Sequence, residues 1–126
     1  MSKSLSDFCP KNRHKIMEFL AKLTEERIPI LIVDVLRTPE EQADNIARKV
    51  SWTLNSKHLP QQECGCQLSH AIDVAPYNQF NLHGADKLQW DGSDPVWDKI
   101  IAIAESLGLK SGKNFPKPDL GHIEMK

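Results

Sequence analysis

The chain has 126 residues, 40% of them hydrophobic, with 16 basic and 17 acidic side chains and a net charge of -1. This suits one folded domain over 1–126 with a modest core, and it excludes a chain too polar to fold. The charge balance offers no basic field for nucleic acid, and no run approaches the roughly 18 apolar residues of a membrane span.

The amino end, Met1-Ser2-Lys3-Ser4-Leu5-Ser6-Asp7, lacks the apolar stretch of a secretory signal. Synthesis in a cytoplasm, without export by that route, is the expectation. Residues 11–26 form the first predicted helix, because Ile16, Phe19, Leu20 and Leu23 follow the i, i+3, i+4, i+7 stripe. The β-branched apolar run from Pro29 to Leu36 predicts a buried strand. Thr38 then suits a helix N-cap, Pro39 the first helical position, and Glu41 completes a capping box. That second helix is expected to reach about Val50.

No period persists from Ser51 to Ser69, which reads as a long loop of the kind that often carries function. The loop holds Cys64 and Cys66, which with Cys9 make three cysteines. An odd count in a reducing compartment disfavours a disulfide framework. One residue between Cys64 and Cys66 is also too short for a zinc thiolate pair, so they read as incidental. Ala71 to Ala75 predicts a second strand, interrupted by Asp73, a carboxylate that needs a partner if buried. Residues 76–93 read as irregular. The segment Asp91-Gly92-Ser93-Asp94 is too short for a calcium loop of the EF-hand kind and suits a cap for the third helix. That helix starts at Asp94-Pro95, buries Val96, Trp97, Ile100, Ile101, Ala104 and Leu107, and stops at Gly108. A loop rich in Gly, Lys and Pro leads to a short terminal strand, Ile123-Glu124-Met125. The sum is an α+β fold, a small antiparallel sheet packed with about three helices, with no internal repeat.

Among five histidines, His14 reads as a solvated helix residue and His83 as a loop residue with no carboxylate nearby in sequence. His58, at the start of the long loop, and His122, beside the terminal strand, have better contexts. Two histidines and a carboxylate are the three protein ligands of a catalytic zinc, with a fourth position left for water. Asp73 could instead pair with a buried Lys or Arg. Asp119, three residues ahead of His122, is then available to act on the water.

Ser56-Lys57-His58 followed by Ser69-His70-Ala71-Ile72-Asp73 resembles the pattern Ser-x-His-x-x-Gly-x-Ala-x-Asp. Asp119-Leu120-Gly121-His122 resembles its Asp/Glu-x-x-His partner, and Leu36-Arg37-Thr38-Pro39-Glu40-Glu41-Gln42 is similar to Gly-Tyr-Arg-Thr/Ser-x-x-x-Gln. In this order the motifs resemble the zinc-dependent D-Ala-D-Ala carboxypeptidase and L-alanyl-D-glutamate endopeptidase family, whose small phage members are endolysins. The resemblance spans about Ile30 to Met125 and implies a zinc site on the sheet of a fold like that of the DD-peptidases. It implies Zn²⁺ held by His58, Asp73 and His122, Asp119 as general base and acid, and Arg37 as the positive charge on the substrate oxyanion. It also implies substrate contacts from Gln42 and Ser56.

Three departures stand out. Fourteen residues separate His58 from Asp73, more than in the family pattern, so Pro60 to Leu68 reads as an insertion. Ser69 replaces the family glycine, and Lys110-Ser111-Gly112-Lys113-Asn114-Phe115 replaces an aromatic-rich segment. His70 is the rival of His58, but its odd separation from Asp73 on a strand turns the two to opposite faces. The resemblance implies a monomeric endolysin that cuts the peptidoglycan stem peptide between L-Ala and D-Glu after release to the cell wall. Removal of terminal D-Ala is the alternative within the class. A non-catalytic zinc-containing module for wall binding or phage structure is the alternative outside it.

Overall fold

A computed structural model of the chain describes residues 2–48, 56–61, 67–77, 92–116 and 118–125. Helix α1 (Arg13–Glu25) leads to strand β1 (Ile30–Asp34), helix α2 (Pro39–Ala47) and strand β2 (Ala71–Pro76). Helix α3 (Val96–Ser106) and strands β3 (Leu109–Gly112) and β4 (Asp119–Met125) follow. The strands form one antiparallel sheet in the order β1-β2-β4-β3. The α+β expectation, with three helices on a small antiparallel sheet, describes this architecture.

The alternation of a strand divides this sheet cleanly. Ile72 and Val74 of β2 and Ile123 of β4 point into a core built with Ile16, Phe19 and Leu23 of α1 and Trp97, Ile100 and Ala104 of α3. Each Ile, Leu, Val or Phe side chain among them, fully withdrawn from water, contributes roughly 1.5–3 kcal/mol. Asp73, His122 and Glu124 occupy the intervening positions, so they share the other face.

Local signals held where they were local. The α2 capping box is formed: Glu41 N–H donates to Thr38 Oγ1 and Thr38 N–H to Glu41 Oε1, both at 3.1 Å. Asp94 Oδ1 accepts from Val96 N–H at 2.9 Å at the start of α3. Gly108 follows α3 with a φ of 79°, a left-handed conformation that suits glycine.

Four expectations need correction. The α2 helix ends at Ala47, short of Val50. Among the described residues strand β1 is an edge strand paired only with β2; Leu31 is exposed and Ile30, Ile32 and Val33 are half-buried, so it is not a buried strand. Leu109 to Gly112, expected within a loop, forms β3. Its four residues are too few to show a period, and backbone pairing to β4 defines it. The terminal strand begins four residues earlier than expected, so Asp119 and His122 both lie in β4, an inner strand. Cys64, Cys66, His83 and Asp91 lie outside the described residues.

Candidate metal centre

Two irregularities of pairing build the site. In β1, Ile32 lies opposite Val74 and Asp34 opposite Asp73, with Val33 left over in a bulge. The bulge brings Asp34 rather than Val33 beside Asp73. Asp73 in turn lies opposite His122, so Asp34, Asp73 and His122 stand abreast on three adjacent strands. The second irregularity is in β4. Ser111 pairs with Ile123, but Gly112 pairs with Asp119. On an ordinary strand Asp119 and His122, three apart, would point to opposite faces. Here they converge: a Cβ at Gly112 would stand 3.1 Å from His122 Cβ and 3.2 Å from Asp119 Cβ. It would also collide with the Asp119 carbonyl oxygen, so the convergence needs glycine at 112. Gly121 meets a similar demand, because a Cβ there would run into the Val74 carbonyl oxygen.

His58 reaches the sheet from the turn after α2, buried to 1% exposure. Its backbone is tied at both ends: the N–H donates to Ser56 Oγ at 3.1 Å, and the carbonyl accepts from Arg37 N–H at 2.9 Å. The ring Nδ1 lies 2.7 Å from the Val35 carbonyl oxygen and so carries the hydrogen. That leaves Nε2 facing Asp73 Oδ1 at 3.1 Å, while His122 Nδ1 approaches the same oxygen at 3.2 Å. The possible ligand atoms of His58, Asp73 and His122 all lie within 4.8 Å of one another, so this group could hold a metal ion. Two imidazoles and one carboxylate are the donor set of an open zinc site, so the residues fit the implied ion.

The insertion does not displace His58, because its ends are fastened together. Gln61 N–H donates to the Leu68 carbonyl oxygen at 3.0 Å, and His70 N–H to that of Lys57 at 2.9 Å. Ser69, where the family has glycine, is fully buried; its hydroxyl donates to the Ala71 carbonyl oxygen at 2.6 Å, and a parallel bridge joins its backbone to Phe8. The rival, His70, is buried, and its carbonyl accepts from Met125 N–H at 2.9 Å. It is not one of the three grouped residues.

The other expected residues take supporting places. Arg37 donates through Nε to Asp34, through Nη1 to Gln42 Oε1 at 2.8 Å and through Nη2 to Asp73 Oδ2 at 3.2 Å. All three guanidinium nitrogens are thus engaged inside the protein, whereas the resemblance implied an arginine facing the substrate. Gln42 is fully buried and braces Arg37, and Ser56 braces the His58 turn. Neither has the open position of a substrate contact. Sequence reasoning missed Asp34 and Glu124. Asp34 is 1% exposed, and its Oδ1 has no hydrogen-bond partner among the described residues. Glu124 Oε1 accepts from His122 Nε2 at 2.8 Å. The signal for Glu124 was available, because two residues after His122 on a strand is the same face; the signal for Asp34 was not, because it depends on the bulge.

Charge follows this geometry. Burial alone would raise the Asp73 pKa, but the charge of His58 and hydrogen bonds from both histidines outweigh it and hold the carboxyl well below the usual carboxylate range. Burial would lower the His122 pKa, but hydrogen bonds to Asp73 and Glu124 push it up to about 9. Asp34 is raised by burial first, with Asp73 adding to the rise against His58 and Arg37. Asp119 keeps contact with solvent, yet protein crowds its carboxyl; that desolvation, then the charge of Asp73, raise its pKa. Phe115 closes one side, its ring centroid 5.2 Å from that of His122.

No family model and no curated protein matches the chain. Among solved structures, its fold is similar to that of the L-Ala D-Glu endopeptidase ChiX of Serratia marcescens. The TM-score is 0.68 over 97% of this chain and 83% of that one, at 18% identity. The two chains share a fold. No described helix is long and apolar enough to cross a membrane.

Proposed function

We propose that this protein is a zinc metallopeptidase that hydrolyses the stem peptide of bacterial peptidoglycan, with the bond between L-Ala and D-Glu as its target. The observation that carries the reading is the convergence of Asp119 with a His-Asp-His group whose two histidines are buried. The fold shared with ChiX, an L-Ala D-Glu endopeptidase, supports the choice of bond, as does the resemblance of the motifs. Resemblance to the small phage members supports an endolysin role, with action on the wall after release.

His58, Asp73 and His122 would hold the ion. A zinc ion there supplies Lewis acidity, which polarises a carbonyl and makes a water more acidic. Asp119 would take the proton of the attacking water and pass it to the leaving amine. Its raised pKa suits that task, because a carboxylate of higher pKa is the stronger base. Asp34, Asp73 and Glu124 make a field that favours a cation, and Arg37 offsets part of it while fixing Asp73 Oδ2.

The test is Asp119→Ala, assayed on purified peptidoglycan with zinc content measured in parallel. Release of new amino groups should fall by at least about 100-fold, the usual scale for a general base, with zinc stoichiometry unchanged. Loss of zinc in the variant would make Asp119 a ligand. A zinc-loaded wild type that releases no amine would overturn the peptidase reading. Free D-Ala among the products, in place of an exposed D-Glu amine, would move the activity to a carboxypeptidase.

A further inference from the structure

We infer that Glu124 is a positioning residue for the metal centre: its carboxylate fixes the His122 ring so that Nδ1, not Nε2, is the nitrogen offered to the ion. The inference rests on the zinc reading above and adds to it a residue with no motif behind it.

An imidazole can offer either nitrogen, and whichever is protonated is decided by the hydrogen bond the other side makes. His122 has a carboxylate at each end. Nδ1 faces Asp73 Oδ1 at 3.2 Å, within the ligand group. Nε2 faces Glu124 Oε1 at 2.8 Å, and Glu124 is not in that group. When the ring gives up one proton to bind a metal, the shorter contact to Glu124 keeps the hydrogen on Nε2, which frees the Nδ1 lone pair. The sheet explains why this nitrogen is used. Asp73 and His122 are direct cross-strand partners, and Nδ1, the ring nitrogen nearer the backbone, is the one that faces Asp73 Oδ1. Glu124 is itself held in register, between Ala71 of β2 and Lys110 of β3, on the same face as His122. Its side chain is buried with that of His122, at 10% and 7% exposure.

The two histidines are therefore set in opposite senses. His58 donates from Nδ1 to the Val35 carbonyl and presents Nε2; His122 donates from Nε2 to Glu124 and presents Nδ1. Arg37 makes the same selection at the third ligand, by holding Asp73 Oδ2 and leaving Oδ1 toward the histidines. Each ligand has one atom held and one offered, but Glu124 is the holder placed on the ligand's own strand. An outer carboxylate of this kind orients the ring and makes it more basic, and its loss lowers metal affinity roughly 10- to 100-fold.

The experiment uses the full chain with Zn²⁺ alone. Zinc affinity is measured by competition with a chromophoric chelator for the wild type, Glu124→Ala, Glu124→Gln and His122→Ala, with circular dichroism as a check of folding. The histidine nitrogens of the zinc-loaded wild type are assigned by ¹⁵N NMR. Expected are zinc bound to Nδ1 of His122 and to Nε2 of His58, a loss of affinity of roughly 10- to 100-fold in Glu124→Ala, and recovery of most of it in Glu124→Gln, whose amide oxygen still accepts from Nε2. Coordination through Nε2 of His122 overturns the inference, as does a folded Glu124→Ala that binds zinc like the wild type. If Glu124→Gln loses zinc as fully as His122→Ala, Glu124 is a ligand and the inference also fails. Should Glu124→Ala not fold, the wild-type nitrogen assignment and Glu124→Gln decide alone. Zinc bound by the wild type and lost in His122→Ala, with no effect at Glu124, refutes this inference and leaves the zinc reading standing. A wild type that takes up no zinc refutes both.

Discussion

Arg37 shows how one side chain can hold several polar groups in place. Its planar fork meets Asp34, Gln42 and Asp73 at once, a geometry that a lysine ammonium cannot reproduce. Arg37→Lys keeps the charge but releases at least one of these partners. Zinc affinity is expected to fall roughly 10-fold or more, as for other outer-shell changes, and chelator competition would show it. An unchanged affinity, with activity alone reduced, would return Arg37 to a direct role on the substrate. His58, Asp73, Asp119 and His122 stood out in the sequence because residue type and spacing mark them, and Arg37 because its segment resembles that of the peptidase family. Asp34 did not, because an acidic residue ending an apolar run says nothing about which face it takes. Only the leftover Val33 in the β1 bulge turns it toward Asp73.

The elements differ in how far local chemistry defines them. The α2 cap is specified within four residues, and so it was legible. Thr38→Ala removes the hydroxyl that accepts Glu41 N–H and should cost about 1 kcal/mol in urea denaturation. Strand β3 and the first half of β4 were not legible, because Leu109-Lys110-Ser111-Gly112 becomes a strand only by pairing with β4. Gly121 belongs to that non-local layer. In Gly121→Ala the new methyl meets the Val74 carbonyl oxygen, a backbone atom that cannot step aside. Overpacking of this kind costs about 1–3 kcal/mol, and here it also pushes β4 from β2, where Asp73 and His122 are paired. A loss of stability together with a loss of zinc affinity is expected, whereas Thr38→Ala should affect stability alone. If Gly121→Ala melts like the wild type, the close approach of the two strands is not required.

For the whole molecule, the ion and the fold are thermodynamically linked. A ligand present at 100 times its Kd stabilises the native state by about 2.7 kcal/mol. For a chain of this size that is roughly a 10 °C rise in Tm. Chelation should therefore lower the melting temperature by about that amount, as calorimetry can check; equal Tm values with and without zinc would mean that the cluster does not bind it. The dependence on pH should differ between the two forms. His122 has a folded pKa of about 9 against an ordinary 6.5, so its protonated pairing with Asp73 and Glu124 stabilises the chelated protein below pH 6.5 and is lost as pH rises through about 9. Metal binding requires that proton to leave, so the stabilisation added by zinc should grow over the same window. Melting curves at pH 6.5, 8 and 9.5, with chelator and with zinc, would show the two trends diverging. A last consequence follows from the hydrogen bond between Gln61 and Leu68. That link closes the base of the insertion, so Gln61 and Leu68 stay fastened whatever the length of chain between them. Each doubling of such a segment costs only about 0.6 kcal/mol of closure entropy. The position is thus a natural port for grafting, where an affinity tag or a wall-targeting peptide could be spliced without retuning the metal centre.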